Sequence, residues 1–523
     1  MTSTSPLVTV RDAVFRLARD FGIDTIFGNP GSTELPMFRE FPGDFRYVLG
    51  LQESVVMAMA DGYAQATRNA AFVNLHSAAG VGHALGNLFT AYKNQAPLIV
   101  TAGQQARSIL PYEPYLFADR ATEFPRPYVK WALEPARAAD VPHAFARAYY
   151  IAMQPPRGPV FLSVPVDDWD QMCDPVEPRR VSRTVAGDAE ALSRVATALV
   201  TARRPVFVVG AGVARDAARA EVVALAEAHQ APVWVAPVCA RSSFPEDHRL
   251  FAGFLPASRE AIVEKLSGAD LVLVIGGAVS TYHIEGFGPH MPQGAQVFHL
   301  VDDPAVASWA PVGEAVVTDT KSALSTLLQL APATERHAPA VAPRTAAPAK
   351  ALTDSYVLSR IAALRPAASI IVEEAPSSRN AMHDQLPILA EDGFFTCASG
   401  GLGHGLPAAI GIAMGRRKEK VIAILGDGSS MYAIQGLWTA AQYAVPVSFV
   451  ILKNGRYEAL IGFGRYFGIE ETIGTKLPEL DFCALASAQG VAASRVTRIE
   501  ELDAALQASF AATGPTLVEV SIG

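Results

Sequence analysis

The sequence predicts an α/β protein built from three doubly wound parallel-sheet domains. Short apolar runs ending in glycine-containing turns alternate with amphipathic helical stretches along most of the chain, as expected of parallel strands covered by helices on both faces. The 523 residues exceed what a single hydrophobic core holds. Two stretches with little periodicity, Cys173–Gly187 rich in proline and charge and Ala331–Lys350 rich in alanine and proline, divide the chain into parts of ordinary domain size. The expected domains are residues 1–180, 181–340 and 341–523.

The first part opens with a helix. Val10, Ala13, Val14, Leu17, Ala18 and Phe21 recur at helical spacing, Thr9 is placed to cap it and Gly22 to end it. A strand follows at Ile23–Phe27, then strand FRYVLGL, helix Ser54–Ala66, strand AFVNL, helix Gly82–Tyr92 and strand PLIVTA. In the middle part PVFVVGAG, APVWVA, ADLVLVIGG and QVFHLVD read as strands between helices. Its Gly210-Ala211-Gly212 is a weak dinucleotide hint that a tight strand-to-helix turn explains equally well. The third part contains the buried strands VIAIL and VSFVILK and ends in PTLVEVSI.

Composition narrows the function. Half the residues are hydrophobic, 18% are charged, and the net charge is -8. No basic stripe suited to nucleic acid is present. Four widely spaced cysteines, Cys173, Cys239, Cys397 and Cys483, make neither a disulfide framework nor a metal motif. With no signal-like N-terminus and no apolar run of about 18 residues, a soluble cytoplasmic protein is expected.

The chemistry concentrates at strand ends. VIAIL runs into Gly426-Asp427-Gly428-Ser429, and VSFVILK into Asn454-Gly455-Arg456-Tyr457. If the two strands are parallel neighbours, a carboxylate and a carboxamide meet at their C-terminal edge, where open α/β sheets bind ligands. Oxygen donors of this kind suit a hard divalent cation that keeps positions for water and diphosphate oxygens. Glu53 closes the run YVLGL and begins a helix with an apolar inner face. Ser32 in GNPGSTELP, His76 in NLHSAAG and His283 in GGAVSTYHIEGFG follow other strands, each placed to line a crevice or, more plainly, to serve in a turn or loop.

The paired segments GDGSSMY and KNGRY resemble the magnesium–diphosphate signature of thiamine diphosphate enzymes, and LQESVVMAMADGYAQAT resembles the segment carrying that family's activating glutamate. GNPGSTELP, VNLHSAAG, PLIVTAGQQ, FPRP, APVWVAP, GGLG with LPAAIG, and LWTAAQY are similar to the benzoylformate decarboxylase branch, over nearly the whole chain. The resemblance implies thiamine diphosphate with Mg2+, or Ca2+ in its place, held by Asp427, Asn454 and the carbonyl of Arg456. It implies cofactor contacts from Pro30, Gly31, Glu53, Gly401, Leu402, Gly426, Asp427, Gly428, Ser429 and Tyr457. Leu402 would wedge the two cofactor rings together, and Glu53 would favour the imino tautomer of the aminopyrimidine. Ser32, His76 and His283 would act on a 2-oxo acid, with Leu116, Phe395, Ala459, Leu460 and Phe463 as the wall against an aryl group. The implied activity is non-oxidative decarboxylation of benzoylformate; a carboligase, or a decarboxylase of another 2-oxo acid, is the alternative. A small-molecule substrate and a homodimer or homotetramer with sites shared between subunits are the implied partners. The chain departs from the pattern at Lys453, Met431, His404 (an aromatic position in the family), Thr396 and Gly462.

Overall fold

In the computed structural model, which describes residues 6–337 and 348–523, each apolar run named above becomes a strand. Part of the Ala331–Lys350 linker therefore lies outside the described residues. Residues 174–187, in the other expected linker, carry no regular structure. The chain forms two compact units, one of Met1–Ser182, Val372–Ser377 and Ser399–Gly523, the other of Arg183–Ile371 and Ser378–Ala398.

The first unit contains two large sheets and a short antiparallel pair, Val8–Thr9 with Met172–Cys173. In the N-terminal large sheet, β1 (Thr25–Gly28), β2 (Arg46–Leu49), β3 (Ala71–Leu75), β4 (Leu98–Gln104), β5 (Ala132–Leu133) and β6 (Val160–Pro165) are ordered β2-β1-β3-β4-β6-β5 and all pair in parallel. Helix α1 (Val10–Asp20) starts as expected, with Thr9 Oγ1 accepting the Asp12 N–H at 3.1 Å, and Gly22 leaves it at φ +71°. Its apolar stripe packs into a core with Phe72 and Phe145. Helices α2 (Glu53–Thr67) and α3 (Ser77–Asn94) follow β2 and β3.

The second unit carries β7 (Pro205–Val209), β8 (Val233–Val235), β9 (Phe251–Phe254), β10 (Leu271–Ile275), β11 (Gln296–Val301) and β12 (Glu314–Val317) in the order β9-β8-β7-β10-β11-β12, again parallel. Here Gly210 and Gly212 have a packing task. A Cβ on either would come within 2.7 Å of the backbone at Gly276 or Gly277, so the glycines let two strand-end turns touch.

The other large sheet of the first unit contains the run of β13 (Ile370–Glu374), β14 (Val421–Gly426), β15 (Val447–Lys453), β16 (Ala492–Val496) and β17 (Thr516–Ser521), in the order β13-β14-β15-β17-β16. β14 and β15 are parallel neighbours with Gly426 opposite Leu452, which brings the residues after them to one edge. Helix α4 (Gly405–Gly415) precedes β14 and lies against α2 with almost no side chain between them. A Cβ on Gly411 would sit 1.9 Å from the Met59 carbonyl oxygen, and one on Gly62 2.3 Å from that of Ala408. Among the described residues no helix is long and apolar enough to cross a membrane.

Candidate active site

Asp427 begins the short helix α5 (Asp427–Met431) at the end of β14. Its Oδ1 accepts the Gly428 N–H at 2.8 Å, and its Oδ2 accepts those of Asn454 and Gly455, from the end of β15, at 3.1 and 2.6 Å. Burial raises its pKa, and the three N–H bonds oppose the rise. Asn454 Oδ1 accepts the Arg456 N–H at 3.0 Å, which curls the turn so that carboxylate, carboxamide and backbone are gathered in four residues. Gly455 takes φ +70° to make that turn. Gly428 admits the Tyr457 ring, which would lie 2.3 Å from a Cβ there. Asp427 and Asn454, with the Arg456 carbonyl, form a set of hard oxygen donors at one sheet edge, and this set fits a Mg2+ or Ca2+ ion. Ser429 Oγ donates to the carbonyls of Glu374 and Gly426 at 2.7 and 3.0 Å, fixing the motif to β13.

Glu374, at the end of β13, is a residue the sequence reading missed. It is buried, and its two carboxylate oxygens accept the backbone N–H groups of Gly403 and Gly405, on either side of His404. The loop Gly401-Leu402-Gly403 is thereby held at its C-terminal end. Asn87 of α3 holds it from another side, donating to the Gly403 carbonyl at 3.1 Å as well as to Ser54. Two consecutive glutamates closing the apolar strand IIVEE were the available signal.

Glu53 is the first residue of α2 and is 8% exposed. The preceding Gln52 caps the helix through its side-chain oxygen, which accepts from Ser54 N and Val55 N. Glu53 Oε1 accepts from Asn29 Nδ2 at 3.2 Å, and its Oε2 lies 3.1 Å from His83 Nδ1. Asn29 and His83 were not singled out in the sequence. They hold the carboxylate at a strand end.

His76 sits at the N-terminal edge of α3, where its Nδ1 lies 2.9 Å from Glu34 Oε2 and 3.2 Å from Thr33 Oγ1. Glu34 is buried. It accepts from Gly31 N at 2.8 Å, Gly103 N at 2.9 Å and Thr33 Oγ1 at 2.7 Å. A carboxylate so restrained fixes the imidazole and selects its tautomer, leaving Nε2 for a ligand. Gly31 lets the ring approach, since a Cβ there would be 2.2 Å from His76 Nδ1. Glu34 was visible inside GNPGSTELP, but nothing in that string marks it as buried. Ser32 and Pro30 are exposed in the same turn. Leu116 is half-buried, its carbonyl accepting from Ser77 Oγ at 2.8 Å. Tyr457 stands at the start of α6 (Glu458–Tyr466), which carries Ala459, Leu460 and Phe463. His283, exposed after β10, and Phe395, buried in the short strand Phe394–Thr396, belong to the second unit.

Three family profiles match the chain in sequence. The thiamine pyrophosphate enzyme N-terminal TPP binding domain matches residues 8–121, the central domain residues 192–327, and the C-terminal TPP binding domain residues 377–520. The chain belongs to the thiamine pyrophosphate enzyme family. Its relatives in that family include the benzoylformate decarboxylase of Pseudomonas aeruginosa, 42% identical over 98% of both chains. The crystal structure of benzoylformate decarboxylase from Polynucleobacter necessarius is similar along 98% of both chains, with a TM-score of 0.96 and 39% identity. The thiamine diphosphate-dependent 4-hydroxybenzoylformate decarboxylase of Rhodococcus jostii RHA1 covers 99% of both chains, with a TM-score of 0.95 and 38% identity. The three parallel-sheet α/β domains expected from the sequence are those of this family of enzymes.

Proposed function

We propose that the chain catalyses thiamine diphosphate- and Mg2+-dependent decarboxylation of an aromatic 2-oxo acid, converting benzoylformate to benzaldehyde and carbon dioxide, with carbon–carbon ligation as a side activity. The reading is carried by the end-to-end likeness to a protein named benzoylformate decarboxylase. Asp427, Asn454 and the Arg456 carbonyl would hold the metal against the diphosphate, with Gly426, Gly428 and Ser429 lining its approach. Leu402 would support the bent cofactor. Bound there, thiamine diphosphate supplies a nucleophilic carbon and an electron sink for the carboxylate's bonding pair.

The protein's own tasks are protonation and exclusion of water. Glu53, fixed by Asn29 and His83, would hold a proton at the aminopyrimidine nitrogen. Ser32 would bind the substrate carboxylate or carbonyl. His76, oriented by Glu34, would deliver the proton that replaces the carboxylate. His283 would assist in binding and proton relay, and Leu116, Phe395, Ala459, Leu460 and Phe463 would face the aryl group. Two or four copies with shared sites are part of the same reading. A cytoplasmic location fits four free thiols.

A 4-hydroxylated substrate is the second reading, favoured by the Rhodococcus jostii likeness. Initial rates with benzoylformate, 4-hydroxybenzoylformate and pyruvate, in the presence of thiamine diphosphate and Mg2+, separate the readings. The first requires the highest kcat/KM on benzoylformate. Preference for pyruvate by more than about tenfold, or 1.4 kcal/mol in barrier, defeats both.

A further inference from the structure

Lys453 is the last residue of β15 and directly precedes Asn454. The strand register puts its side chain on the same face of the sheet as Glu519 of β17 and Arg495 of β16. Glu519 is buried. Its Oε1 accepts from Lys453 Nζ at 3.2 Å and from Arg495 Nε at 2.9 Å, and its Oε2 accepts the Phe482 N–H at 3.0 Å. A buried carboxylate needs a counter-charge, and Arg495 supplies one. What Lys453 adds is a second bond, from Nζ to the Leu480 carbonyl.

The segment that ends at Leu480 borders the turn Asn454–Tyr457. The Leu477 N–H donates to the Gly455 carbonyl and the Tyr457 N–H to the Thr475 carbonyl, each at 2.8 Å, around an antiparallel bridge between Arg456 and Lys476. Arg456 and Lys476 are thus a non-hydrogen-bonded pair, in which each residue's own N–H and carbonyl turn away from the partner segment. The Arg456 N–H does so and reaches Asn454 Oδ1. The Arg456 carbonyl, the expected third metal donor, is turned to that same side because the segment occupies the other. The segment itself needs holding. Between Leu477 and Leu480 the chain bends at Pro478-Glu479, with Glu479 at φ +60°, a conformation that costs a residue with a side chain and persists where the surroundings impose it. Lys453 fastens the residue next to that bend.

We propose that Lys453 is a positioning residue for the metal. Its ammonium ties the strand that ends in the metal turn to Leu480, and so sets Thr475–Leu477 against the turn and the Arg456 carbonyl on the side of the Asn454 carboxamide. The proposal rests on the reading that Asp427, Asn454 and Arg456 receive the metal. All these groups belong to the one chain that holds the diphosphate, so the tie acts within one site under the shared-site reading. Lys453 stands where the family resemblance has an asparagine, which makes the tie a feature of this chain.

The test is equilibrium dialysis of the full-length protein against thiamine diphosphate over a series of Mg2+ concentrations, with melting temperatures of the metal- and cofactor-free samples. Lys453→Met keeps the length of the side chain, removes the ammonium and leaves Glu519 paired with Arg495. Arg495→Met removes the other cation from Glu519 and leaves the bond to Leu480. Lys453→Met is expected to raise the Mg2+ concentration for half-maximal binding at least about tenfold, and Arg495→Met to stay within about threefold of wild type. Lys453→Met should melt within about 3 °C of wild type. An unchanged Mg2+ requirement in Lys453→Met overturns the proposal. An equal rise in Arg495→Met also overturns it, by tracing the effect to the pairing of Glu519. If Lys453→Met melts low, the double variant Lys453→Met/Glu519→Gln, which strands no buried charge, decides at a temperature where it is folded. A rise of about tenfold there supports the tie, and a wild-type requirement overturns it. Wild-type protein that binds no thiamine diphosphate at any Mg2+ concentration defeats the functional reading instead, so the two failures are distinguishable.

Discussion

Glu374 shows how much of the site depends on carboxylates with no direct chemical task. Burial lifts its pKa from 4.5 to about 7, against the pull of the Gly405 N–H, the charge on His404 and the Gly403 N–H. Between those values the folded protein keeps a proton that the unfolded chain has released. The group's contribution to stability is therefore complete below about pH 4.5 and lost as pH rises through about 7. Measured against Glu374→Gln, which does not titrate, the wild-type protein should gain on the order of 3 kcal/mol in denaturant titrations between about pH 7.5 and about pH 4.5. A difference that stays flat across that range contradicts the assignment. Glu34 was missed because it is buried by segments distant in sequence, and such burial leaves no local pattern. Glu374 had one local signal, a pair of glutamates closing an apolar strand. Glu53 and Asp427 were legible because each interrupts a strand-to-helix junction with a charge.

Elements were easier to read than residues. Apolar runs such as Val421–Leu425 and Val447–Lys453 have no polar face, so parallel, doubly covered strands were the natural arrangement. Helix α3 was expected to begin at Gly82 but starts at Ser77, because the small residues Ser77-Ala78-Ala79 carry no periodic signal of their own. The closeness of α2 and α4 was not visible either, since a helical glycine marks a crossing only once its partner is known. Gly411→Ala should cost about 3 kcal/mol or more in unfolding free energy, because the added carbon meets the Met59 backbone and not a side chain that can turn aside. Gly462→Ala in α6, with nothing within 4 Å of the new carbon, should change stability by less than about 1 kcal/mol. Equal effects for the two substitutions would remove the close crossing as a feature of the fold.

At the scale of the whole molecule, the N-terminal and C-terminal sheets occupy one compact unit, with Tyr443 Oη accepting the Leu49 N–H and donating to the Tyr47 carbonyl across them. The proposed site draws its activating carboxylate from the first sheet and its metal donors from the last. Under the shared-site proposal, the Glu53 of one copy serves the cofactor held by Asp427 of another. Glu53→Gln should then bind thiamine diphosphate within about threefold of wild type while turning over at about 1% or less, and Asp427→Ala should fail to retain the cofactor. Co-expressed and purified through two tags, the two variants should form heterodimers with one intact site in two, recovering up to about half the wild-type turnover. The decisive measurement is benzoylformate turnover with thiamine diphosphate and Mg2+ in these three preparations. Two inactive parents and an active hybrid are expected. A Glu53→Gln enzyme within about tenfold of wild type, 1.4 kcal/mol in barrier, would contradict the role of Glu53, and verified hybrids that gain nothing would contradict the sharing of sites.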